Sequence, residues 1–171
     1  EVGKFANIDE EKVEAVIKKH EDYFYYLISR YADLFLENRV INKQFSVVAD
    51  AQYSLAITKF LVNDLGLTPA KQFVTDDTPK EYQEAIKAEF NNLNFGIKAD
   101  VAFETDGFKI HEAIKAHDYH GYPLVLGGYY EKELTEKLKG NFLNISWPVL
   151  DKVVFDDFFV CYTGGIRLIE D

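Results

Sequence analysis

A chain of 171 residues is long enough for one domain with a full core and too short for two comfortable ones. Its 29 acidic residues outnumber 19 basic ones for a net charge of -10, which argues against nucleic acid or an anionic membrane as partner. No apolar run reaches the length of a bilayer and no charged-then-apolar leader opens the chain, so a soluble domain is expected.

Asp9 is placed to cap a helix, with Ile8 before it as a staple and Glu10 and Glu11 in the first turn. Val13, Val16, Ile17, Tyr23, Phe24, Leu27, Ile28, Tyr31, Leu34 and Phe35 recur at helical spacing, predicting one long helix or two abutting ones to about Leu36. Residues 1–43 therefore read as a helical extension that packs on a domain formed by 44–171. Asn38 to Gln44 is a loop. The apolar run Phe45, Val47 and Val48 reaches Asp50 and passes directly into Leu55, Ile57, Phe60, Leu61 and Leu65, a strand feeding a helix, with Gly66 as the C-cap.

Ala70 to Thr75 is the second strand, and Thr78 followed by Pro79 marks a helix start with Thr78 as N-cap. Tyr82, Ile86, Phe90 and Leu93 line the inward face of that helix. Ala99 to Phe103 is the third strand, followed after Asp106-Gly107 by a helical pattern through Ile110 and Ile114 to about His117. Pro123 to Gly127 is the fourth, Glu131 to Leu138 its helix, Gly140 the stop, and Phe142 to Val149 the fifth strand. Strands alternating with helices, without hairpin turns between them, predict right-handed crossovers. The fold class is α/β, an open doubly wound, mostly parallel sheet of about five strands covered on both faces.

Several residue groups have the chemistry of a site. Asp50 to Tyr53 follows the first strand, where open parallel sheets meet their ligands, but it lacks the glycines of a nucleotide fingerprint. Gly127 and Gly128, between the fourth strand and its helix, suit either a bound anion or a tight turn. His117, Asp118, Tyr119 and His120, with His111 earlier, include metal-ligand residue types at a spacing that fits no common pattern. Asp33 and Glu37 put two carboxylates on one side of the first helix, suited to a hard cation or to a solvated acidic face.

Cys161, the single cysteine, excludes an internal disulfide and a cysteine-only cluster site, and makes a reducing, cytoplasmic setting the default. It opens the segment Cys161-Tyr162-Thr163-Gly164-Gly165, where paired glycines allow close backbone approach before a helix begins near Ile166. The chain starts at Glu1 rather than Met and stops at Asp171 inside a helical run, so its ends read as cut and the last helix as truncated.

Four stretches together resemble nitrogenase component 1, the molybdenum–iron protein family. They are Val-Val-Ala-Asp-Ala-Gln-Tyr-Ser-Leu-Ala-Ile-Thr-Lys-Phe-Leu from 47 to 61, Leu-Gly-Gly-Tyr-Tyr-Glu-Lys-Glu-Leu from 126 to 134, Ile-Ser-Trp-Pro-Val-Leu-Asp from 145 to 151 and Tyr-Thr-Gly-Gly-Ile-Arg-Leu-Ile-Glu-Asp from 162 to 171. The resemblance runs from about Val13 onward and points to the carboxyl-terminal, Rossmann-like domain of a beta-type subunit.

The resemblance implies a parent enzyme that reduces dinitrogen with electrons from an ATP-hydrolysing iron protein. These pass through a P-cluster to a molybdenum-, vanadium- or iron-containing cofactor. It implies as partners an alpha-type subunit and a second beta subunit. Val160 stands where cofactor-holding alpha chains carry a histidine, so no catalytic residue and no cofactor are expected within this fragment. Asp33 and Glu37 resemble an acidic pair that binds a cation between beta subunits. Asp50, Gly127, Gly128, Cys161 and Tyr162 remain as interface or anion contacts, and the expected role is that of scaffold and subunit interface. The alternatives are a domain of the scaffold on which the cofactor is assembled, or a free-standing module for a small anion.

Overall fold

The computed structural model describes residues 2–38, 44–154 and 158–170; the side chains of residue 2 and of residues 31–38 lie outside the description. The chain divides into two units, one of Glu1–Ile41 with Phe158–Asp171 and the other of Asn42–Asp157.

The second unit holds the sheet. Its elements in order are β1 (Gln44–Ala49), α3 (Ala51–Asn63), β2 (Thr68–Pro69), β3 (Gln72–Val74), α4 (Lys80–Phe90), β4 (Val101–Phe103), α5 (Gly107–Ala116), β5 (Leu124–Gly127), α6 (Tyr130–Lys137) and β6 (Asn141–Asn144), with α1 and α2 preceding them in the other unit. Each described strand pairing is parallel, in the order β4-β3-β1-β5-β6, with β2 also on β1. Expectation and finding agree on an α/β, doubly wound parallel sheet, and the structure adds that β1 is its central strand, from which the others are wound outward in both directions. The sheet has six strands rather than five, because a two-residue strand, β2, pairs with β1 just ahead of the expected second strand, which is β3 on the same strand β1.

The break between β2 and β3 is closed by a side chain. Gln72, fully buried, accepts at Oε1 from the Val47 N–H at 2.9 Å and from the Thr58 hydroxyl at 3.3 Å. Its Nε2 donates to the carbonyls of Phe45 at 3.2 Å and Ala70 at 2.9 Å. A buried backbone donor without a partner is costly, so a carboxamide in the gap serves where the ladder itself is interrupted.

Both faces of the sheet are covered. Val48, Phe73 and Val125 pack with Ile110 and Ile114 of α5 and Leu134 of α6, while Gln72, the neighbour of Phe73 and so on the opposite face, meets Thr58 of α3. In β1 every residue from Phe45 to Ala49 is buried, as a central parallel strand requires.

The strand β4 starts at Val101 rather than Ala99, β3 is shorter than expected at both ends, and three further boundaries differ from the sequence reading. Helix α4 takes Pro79 rather than Thr78 as its N-cap, because the Thr78 hydroxyl is turned to Asp76 Oδ1 at 2.6 Å. The last strand ends at Asn144 rather than Val149, since Ile145 and Ser146 both donate to the single carbonyl of Gly127 at 2.9 and 3.2 Å and the ladder stops there. The third is Cys161 to Gly165, which forms the first turns of a helix instead of a loop.

The other unit is helical. It comprises α1 (Val2–Phe5), α2 (Glu10–Asn38) and α7 (Cys161–Glu170). Asp9 caps α2 through a bond from the Glu11 N–H at 3.0 Å. Phe24 of α2 is buried, whereas Tyr23, Tyr25 and Tyr26 are exposed.

Candidate functional site

In a sheet wound this way the direction of winding reverses between β1 and β5, and the loops leaving the carboxyl ends of those strands flank the place where such folds meet ligands. Asp50 leaves β1 and is the N-cap of α3, accepting from the N–H groups of Gln52 and Tyr53 at 3.0 Å each. The remaining first-turn donor, Ala51 N–H, points to Asp76 Oδ2 at 3.4 Å. Two of the chain's own carboxylates thus satisfy the positive end of this helix. Ser54, one turn on, is fully buried, and its hydroxyl has no protein partner.

The loop after β5 has the same character. Glu131, in the first turn of α6 and 6% exposed, folds back so that Oε2 accepts from the Gly128 N–H at 2.9 Å. Oε1 of the same carboxylate lies 3.3 Å from His111 Nε2 on α5. Gly127 is glycine for space, because a Cβ there would stand 2.9 Å from Glu131 Oε2. A Cβ on Gly128 would stand 2.7 Å from the Trp147 carbonyl oxygen and 3.0 Å from Pro148 Cδ. Tyr129 N–H donates to the Pro148 carbonyl at 2.8 Å, and Lys132 pairs with Asp151, fastening the segment after β6 across the turn. The shared hydrogen bond is the first cause of both shifts in this pair, raising the Lys132 ammonium and lowering the Asp151 carboxyl. Trp147 stands 84% exposed on that segment.

The histidine segment does not converge. His120 N–H donates to Gln44 Oε1, His117 lies edge-on to Tyr119, and His111 belongs to the Glu131 contact. Tyr119 shares a 3.1 Å hydrogen bond with the Ser46 hydroxyl, and burial pushes its phenol up despite that bond. Among the described residues no group of three His, Cys, Asp or Glu is placed to hold a metal ion. Asp33 and Glu37 fall within α2, but their side chains lie outside the described residues.

Cys161 is exposed at the start of α7, with a φ of 56° that favours glycine. Tyr162 stacks on His20 of α2 with ring centroids 5.2 Å apart and planes 10° from parallel. Partial burial, and then the Glu21 carboxylate, hold its phenol above the ordinary value. These residues lie in the helical unit, whereas Asp50, Gly127 and Gly128 lie in the sheet unit. Sequence reasoning missed Gln72 and Glu131, although Glu131 three residues after Gly128 has the spacing of a capping carboxylate.

A family model described as nitrogenase component 1 type oxidoreductase matches residues 1–171. A solved structure of nitrogenase Cp1 at pH 6.5 is similar at 23% identity and a TM-score of 0.70, over 91% of this chain and 32% of that chain. At that identity the likeness speaks for the fold. No curated protein matches.

Proposed function

Because the chain belongs to the nitrogenase component 1 type oxidoreductase family, we propose that it is the carboxyl-terminal domain of a beta-type subunit, serving as scaffold and subunit interface. One observation carries the scaffold reading. The first-turn amides of α3 after β1 are held by Asp50 and Asp76, and the Gly128 amide after β5 by Glu131, so the loops where a small anion would bind are already supplied with carboxylates from the chain itself. That arrangement weighs against a free-standing anion-binding module. It supports a domain whose crossover loops are built for rigidity.

The residues present do not fit an iron–sulfur cluster. Cys161 is the sole cysteine, it is exposed, and Val160 beside it offers no ligand atom. We assign the P-cluster and the molybdenum-, vanadium- or iron-containing cofactor to other parts of the parent protein, and dinitrogen reduction to the intact complex with its ATP-hydrolysing iron protein. An alpha-type subunit and a second beta subunit are the proposed partners, the cytoplasm the proposed setting, and Asp33 with Glu37 the proposed contact for an inter-subunit cation. The exposed aromatic and apolar side chains of Tyr23, Tyr25, Tyr26, Trp147 and Val153 are of the kind that such interfaces cover.

Co-expression of the full-length gene with an alpha-type chain tests this reading. A stoichiometric complex is the expected result. A lone chain that retains phosphate through gel filtration would overturn it.

A further inference from the structure

We draw no further inference here: the strongest candidate, the exposed apolar segment that leaves β6 through Trp147, Leu150 and Val153 at the carboxyl end of the sheet, is an unpartnered surface and nothing in the structure shows what covers it.

Discussion

Glu131 reaches back to the amide of Gly128, 2.9 Å from Oε2, and so closes the turn between β5 and α6 with a carboxylate that is 6% exposed. A hydrogen bond to a charged group is worth about 1.5–3 kcal/mol, so Glu131→Ala should lower the unfolding free energy by about 2 kcal/mol. Glu131→Gln keeps an acceptor for Gly128 and should lose less. Gly128→Ala should cost more than Gly127→Ala, because its Cβ would meet the Trp147 carbonyl, fixed backbone, where that of Gly127 meets the end of a side chain. Urea midpoints rank the four variants, and Trp147, the only tryptophan, reports the displaced segment by its fluorescence.

Gln72 makes the second sharp case. Replacing it by Leu leaves the Val47 N–H and the Thr58 hydroxyl buried without their acceptor, and a loss of roughly 2–4 kcal/mol is expected from two such groups. Amide exchange gives the specific readout. Val47 should lose protection beyond the global change, whereas in Gln72→Glu, which retains an acceptor, it should keep more of it.

The fold's main line was legible because β1 and α3 announce themselves together: an apolar run, then Asp50 with its capping oxygen, then helical periodicity. The details that failed are those in which tertiary context overrides local signal. Thr68–Pro69 reads as the loop after Gly66 because a two-residue strand leaves no periodicity, and only its pairing with Gln44 and Phe45 makes it a strand. Gln72 is polar in an apolar run, and its use depends on a gap that composition does not reveal. Glu131 reads only as the start of a helix, and its return to the Gly128 amide depends on the space that Gly127 leaves. The paired glycines before Ile166 read as a break, yet Gly164 is inside a helix, and glycine is needed there because the Phe159 backbone lies so close that a Cβ would stand 2.8 Å from its Cα.

Ser54 offers a test in the opposite direction. Its hydroxyl is buried in α3 without a protein partner, and alanine is the better helix former by a few tenths of a kcal/mol. Ser54→Ala should therefore be stabilising by about 0.5–1 kcal/mol, read as a raised urea midpoint at unchanged slope.

Tyr119 sets an alkaline dependence. Burial raises its phenol above the ordinary value of 10.0, so the folded chain keeps this proton to higher pH than the unfolded chain. The sign follows from linkage. Its contribution is complete below about pH 10 and is lost as pH climbs through the folded value. Tyr119→Phe should lose about 1 kcal/mol at pH 7 with the Ser46 hydrogen bond, and should show a shallower decline in stability between pH 9 and pH 11. An unchanged alkaline slope in that variant would assign the decline to other groups.

Metal content tests most directly whether this domain is a scaffold without cluster ligands. The purified 171-residue chain, incubated anaerobically with ferrous iron and sulfide and then desalted, should carry iron at background level and show no charge-transfer absorption in the visible range. Stoichiometric iron with cluster absorption, lost in Cys161→Ala, would contradict the scaffold reading and place a redox centre in this domain.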